Sequence, residues 1–191
     1  MNDLIPLLRN AGSAVVDAFS ALTGYAATRV PLQRASGPGE FTLDLPGYRQ
    51  IDSFSCGAVA AAMAAKFLRP RLSFQRVYDL VSPCSQTGAG MTRVIRALRS
   101  LEIRVSHHTN LGFPAICNVI RGGSPVLVCI KTREPQIIHW VTIYGFGRKP
   151  GVLFVAGQGM PFVGRQRIAW KHFIRLWTPV GTGLVCRRKK S

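Results

Sequence analysis

Tyr48-Arg49-Gln50-Ile51-Asp52-Ser53-Phe54-Ser55-Cys56-Gly57 runs directly into an alanine-rich segment that ends at Leu68. Ser53 and Ser55 are residue types that begin helices, because a hydroxyl can accept from a free first-turn N–H. Ala58, Ala60, Ala61, Ala62, Ala64 and Ala65 are the best helix formers available. Cys56 therefore falls at the mouth of a helix, where unpaired N–H groups and about half a positive charge are concentrated. Such a position favours a thiolate, the nucleophilic form of cysteine, and its N–H groups can meet an oxyanion on a carbonyl under attack. Gln50, six residues upstream of Cys56, offers a side-chain amide as a second donor. A buried structural cysteine is the competing reading.

A second stretch favours the chemical reading. Gln136-Ile137-Ile138-His139-Trp140-Val141-Thr142-Ile143-Tyr144-Gly145 is a β-branched apolar strand with one histidine near its start. A cysteine on a helix N-terminus and a histidine on a distant strand form the recurring layout of thiol nucleophiles with a general base.

Gln50, Cys56-Gly57-Ala58 and the alanine helix are followed by Gly122-Gly123-Ser124-Pro125-Val126-Leu127-Val128, then by His139-Trp140-Val141 and Tyr144-Gly145. Together these pieces resemble the bacteriocin-processing peptidases, a papain-like family that cleaves leader peptides after double glycine. Trp170-Lys171-His172-Phe173-Ile174-Arg175-Leu176-Trp177-Thr178 resembles that family's C-terminal segment. The resemblance spans about residues 46–186. It implies a papain-like α+β fold, with Cys56 as nucleophile, His139 as base and then acid, and Gln50 with the Cys56 N–H as the oxyanion hole. It also implies an Asp or Asn that orients the imidazole, just after the strand following the histidine. There the chain reads Val152-Leu153-Phe154-Val155-Ala156-Gly157-Gln158-Gly159, and no Asp, Glu or Asn follows residue 139. Gln158 is the nearby side chain whose amide oxygen could accept from the imidazole. Two outcomes stay open: a peptidase that works without a carboxylate, or a peptidase-like domain that binds a peptide without cutting it.

The 191 residues suit one domain with a sizeable core, and 47% hydrophobic with 17% charged residues indicates a globular chain. Five cysteines without regular spacing do not form a disulfide framework, which fits a reducing, cytoplasmic compartment. The sequence carries no membrane-span-length apolar run, no signal-peptide pattern and no cofactor fingerprint. His107, His108, Cys84 and Cys117 match no zinc spacing, and adjacent histidines on a strand face opposite ways. The implied partner is a polypeptide substrate. The net charge of +17, with no acidic residue after Glu134, adds an anionic partner, nucleic acid or acidic protein, or simply a solvated basic exterior.

In chain order, residues 3–23 read as an added N-terminal helix, and 28–47, with its prolines and glycines, as a linker or extended arm. Helices are expected at Phe74–Val81, Met91–Leu101 and Phe113–Arg121, and a last one at Trp170–Leu176. Strands are expected at Ile103–His107, Val126–Ile130, Ile137–Tyr144, Val152–Ala156, Arg165–Ile168 and Leu184–Cys186. Arg187-Arg188-Lys189-Lys190 reads as a frayed tail. With helices first and strands later, the class is α+β, an antiparallel sheet packed on helices, rather than alternating βαβ.

Overall fold

The computed structural model describes residues 27–50, 52–131, 138–147, 151–157 and 167–189. The helix expected over residues 3–23 and the candidate Gln158 lie outside the described residues. Three helices lead: α1 (Cys56–Leu68), α2 (Phe74–Val81) and α3 (Met91–Ser100). After β4 (Ile103–His108) and α4 (Phe113–Arg121) come β5 (Val126–Lys131), β6 (Ile138–Gly147), β7 (Val152–Ala156) and β8 (Arg167–Ala169). The described chain ends with α5 (Trp170–Leu176) and β9 (Gly183–Arg188). The sheet is antiparallel, in the order β4-β9-β5-β6-β7-β8. No described helix is long and apolar enough to cross a membrane.

All of α1 except Lys66 and Phe67 is buried, so it is an internal helix rather than a surface one. Val59 and Met63 join the core that contains Val141 and Ile143, while Ala58, Ala61, Ala62 and Ala65 join a second core with α2 and α3. The alanines serve this double burial. A methyl group lets neighbouring elements approach on every side, whereas leucines would hold them apart. Ser73 caps α2, its Oγ accepting from Arg76 N at 3.1 Å.

β6 is the axis of the sheet and is buried from His139 to Gly147. One face meets α1, where Thr142 Oγ1 donates to the Ala60 carbonyl at 3.4 Å. The other supplies Val141 and Ile143 to the core shared with Ile116 and Ile120 of α4. Burial on both faces explains the unbroken apolar run in the sequence. Ile138 to Ile143 pair with β5 on one edge of β6, and the stretch from Thr142 to its last three residues, Gly145, Phe146 and Gly147, pairs with β7 on the other. The opposite edge of those three takes a short strand from the arm, β2 (Glu40–Thr42). Two further arm strands, β1 (Ala27–Arg29) and β3 (Tyr48–Gln50), pair with each other.

Of the two readings of residues 28–47, linker or extended arm, these strands show the arm. Gly145 permits the docking of β2, because a Cβ there would stand 2.6 Å from both Phe41 O and Thr42 Cγ2. At the C-terminus the last strand reaches Arg188, beyond the expected Cys186, and Arg187 pairs directly with Arg104. The expected frayed tail is ordered over its first two arginines because Arg188 Nε donates to the Leu68 carbonyl at 3.0 Å.

Gly145→Ala should force β2 away from β6 and lower stability by about 1–3 kcal/mol. A lower urea midpoint at constant slope is the expected readout, and an unchanged midpoint would show that this close approach is not constrained.

Candidate active site

The site starts with the turn that opens α1. Asp52 Oδ1 accepts from Phe54 N at 3.1 Å, Ser55 N at 2.8 Å and Gln50 Nε2 at 3.1 Å. Ser55 occupies the N-cap position but makes no side-chain cap bond. The serine cap expected from the sequence is therefore replaced by an aspartate turn one step earlier, a geometry that short acidic side chains favour. Asp52 is the site residue that the sequence reading passed over. Its signal was an acid two residues after Gln50 and four before Cys56, in a turn of small polar residues.

Cys56 is the first residue of α1 and is 9% exposed. Backbone N–H groups of Trp140, Gly57 and Cys56 itself act on its sulfur. Cys56 shares a buried cluster with Trp140, so the first turn of α1 lies against β6 at the residue after the histidine. Gly57 is required for this fit. A Cβ there would lie 2.8 Å from Ala89 Cβ and 3.0 Å from Trp140 Cδ1. Trp140 Nε1 donates to the Ala89 carbonyl at 2.9 Å, which ties the loop before α3 to the same corner.

The electrostatics differ from the activated thiolate expected at a helix mouth. Burial pushes the Cys56 thiol above its ordinary value, and the Asp52 charge adds to the rise. The three N–H groups oppose this and do not win, because desolvation outweighs the dipole of the first turn. His139, 7% exposed and opposite Ile130 of β5, is pulled down to about 4 by burial. Its Nε2 is buried without a hydrogen-bond partner. At neutral pH the pair is thus a thiol and a neutral imidazole, and no hydrogen bond joins them among the described residues. Cys129, read from sequence as ordinary core, faces this corner across from Trp140, and its thiol, raised to about 12 by burial, also feels the Cys56 charge.

Gln50 ends β3. One of its amide protons is bonded to Asp52, while its Oε1 is buried without a partner. Ala156 pairs with Thr142, whose hydroxyl faces α1. The next residue, Gly157, has φ +133°, and a Cβ there would lie 3.0 Å from Val141 Cγ1 and 3.2 Å from Trp140 O. Neither position holds a group that could orient the imidazole, and Gly157 has no room for one. The geometry therefore sets Cys56 in one cluster with Trp140, the residue after His139, and joins Gln50 to the same turn through Asp52. A hollow of about 380 Å³ lined by Phe54, Tyr78, Asp79, Ser82, Pro83 and Ser85 opens beside that turn. The far end of α1 borders a separate basic hollow of about 650 Å³, with Arg69, Arg71, Arg188 and Lys189.

No protein-family model matches the chain, and no curated protein matches it. Solved structures do. One is a double glycine motif protease from an AMS/PCAT transporter in complex with the leader peptide. It is 15% identical with a TM-score of 0.57, over 83% of this chain and 99% of that one. The peptidase domain of Streptococcus ComA, a bi-functional ABC transporter involved in quorum sensing, is 19% identical with a TM-score of 0.55, over 73% of this chain and 96% of that one. The peptidase domain of Streptococcus mutans ComA is 16% identical with a TM-score of 0.50, over 72% and 95%. The chain has the papain-like fold of the double-glycine, or C39, peptidase domains over most of its length.

The rate of Cys56 alkylation by iodoacetamide should rise with a midpoint above the ordinary thiol value of about 8.5. A midpoint below neutrality would overturn the neutral pair. His139 also predicts an acid limit. Its folded value of about 4 lies below the ordinary 6.5, so its stabilising effect is complete above pH 6.5 and is lost as pH falls toward 4. The loss is about 3 kcal/mol. His139→Gln should flatten the fall in melting temperature between pH 7 and 4, and a parallel profile would refute this.

Proposed function

We propose that the chain is a cysteine peptidase in which Cys56 is the nucleophile and His139 the proton carrier. The observation that carries this reading is the thiol at the mouth of a buried helix, whose first turn packs against Trp140, the residue that follows the histidine. In the proposed reaction a peptide carbonyl enters beside Cys56. His139 removes the thiol proton as the sulfur–carbon bond forms, so a thiolate exists only as it is consumed. The Cys56 N–H and the Gln50 amide hold the oxyanion. Collapse breaks the carbon–nitrogen bond, and the imidazolium returns its proton to the departing amine. Water, deprotonated by His139, then releases the acid from the thioester.

One structural neighbour supports a choice of first substrate. It was captured with a leader peptide. A glycine-rich leader, cleaved after small residues, is therefore the substrate we propose for this chain. An imidazolium with no carboxylate behind it is less well stabilised, so turnover is slow compared with a complete triad.

The glycine at 157 and the raised thiol also favour a second reading, in which the cleft binds a peptide without cutting it. One experiment separates the two. A synthetic leader ending in Gly-Gly, followed by a short cargo, is incubated with the wild type, Cys56→Ala and His139→Ala, and binding is followed by calorimetry. The peptidase reading expects cleavage by the wild type and a loss of about a thousandfold or more in both variants, with binding retained. Binding without cleavage by the wild type would establish the second reading, and absence of both would remove the leader as ligand.

A further inference from the structure

We infer that Asp52 is a positioning residue of the active site: it fixes the Gln50 amide and the mouth of α1 in one register, so that the two oxyanion donors face the same point. The inference deepens the peptidase reading and rests on it. One oxygen, Oδ1, gathers three donors at 2.8–3.1 Å, two from the turn before Cys56 and one from Gln50. An ionised acceptor makes such bonds shorter and stronger than a neutral one. The other oxygen, Oδ2, is buried without a partner. A helix cap alone needs neither the third donor nor a buried charge, since a serine or asparagine caps as well.

The placement has a cost that argues for a purpose. The Asp52 charge opposes ionisation of the Cys56 thiol and of the Tyr78 hydroxyl. A site with its nucleophile already raised by burial would gain by losing that charge, unless the carboxylate supplies something else. What it supplies is geometry. Gln50 ends a three-residue strand, and among the described residues its side chain has no other hydrogen bond. Freed from Asp52, the amide would rotate away from the carbonyl under attack, and misplacing a catalytic group by about 1 Å costs on the order of a hundredfold.

The test uses Asp52→Asn, Asp52→Ala, Gln50→Ala and the double variant of the last two, each in the whole chain. Asp52→Asn keeps an acceptor oxygen and guards against loss of the fold. By NMR, Asp52→Ala should speed solvent exchange of the Gln50 side-chain amide about tenfold, while Asp52→Asn retains the protection. An unchanged Gln50 amide in Asp52→Ala would overturn the inference. In Asp52→Asn the midpoint of Cys56 alkylation should move to lower pH, with His139, Cys129 and Tyr78 still in place. No movement would show that the carboxylate does not face the thiol. On a cleaved leader peptide, Asp52→Ala should lower kcat about ten- to a hundredfold with little change in KM, and cost nothing further in the Gln50→Ala background. Equal losses in both backgrounds would overturn it. A wild type that cleaves no peptide removes the peptidase reading, while the amide and thiol measurements still decide whether Asp52 holds Gln50.

Discussion

The whole arrangement turns on Trp140. It shares a buried cluster with Cys56, its indole N–H closes on the Ala89 carbonyl, and its ring fills the space left by Gly57. One residue therefore fastens the helix mouth, the loop before α3 and the strand that carries His139. Trp140 is 5% exposed, so its indole bond forms away from competing water, where it counts for more. The approach of the first turn of α1 to the strand that carries His139, 83 positions further along the chain, follows from this fastening. Neither side chain bonds the other at rest.

The constraint behind that corner is volume. α1 runs between two cores and can do so only as a rod of small residues. An alanine-rich helix has little side-chain entropy to lose and leaves its ends free to be set by their caps. Its N-terminus is set by Asp52 and its C-terminus by long basic side chains, Arg188 on the Leu68 carbonyl and Arg69 on the Leu101 carbonyl. The same helix thus separates a reactive end from a cationic end along about 20 Å of axis.

Periodicity and turn chemistry made most of the fold legible. The α4 bounds follow from Phe113-Pro114 and Gly122, and α2 follows from Ser73 and Pro83, because these residues act locally. The arm strands were not legible. Glu40–Thr42 has no pattern of its own and becomes a strand only because β6 outruns β5 and leaves an edge to fill. Arg187 and Arg188 look like tail residues for the same reason, since a strand end is fixed by its partner and not by its own composition. At the site, residue type and order single out Cys56, Gln50 and His139 as candidates, and the fold sets Cys56 at the mouth of α1 and His139 on β6. The thiol's resistance to ionisation was not legible, because it depends on how much water the Trp140 corner excludes. A helix dipole can be read from a sequence, but desolvation is a property of the packed molecule.

That difference governs what this site can do. A preformed thiolate–imidazolium pair needs a carboxylate behind the ring and water or dipoles around both ions. Here Gly157 leaves the ring without the carboxylate, and burial penalises both charges. In the reaction proposed above, proton transfer from Cys56 to His139 is therefore uphill on its own. It becomes feasible once a carbonyl is in place, because the negative charge then passes from sulfur to an oxygen that the Cys56 N–H and Gln50 can hold. Such a site gains specificity from its own reluctance. A ligand that does not seat its carbonyl between those donors meets a neutral thiol. The chemistry depends on the oxyanion donors more heavily than in a full triad, and so on whatever keeps Gln50 aimed.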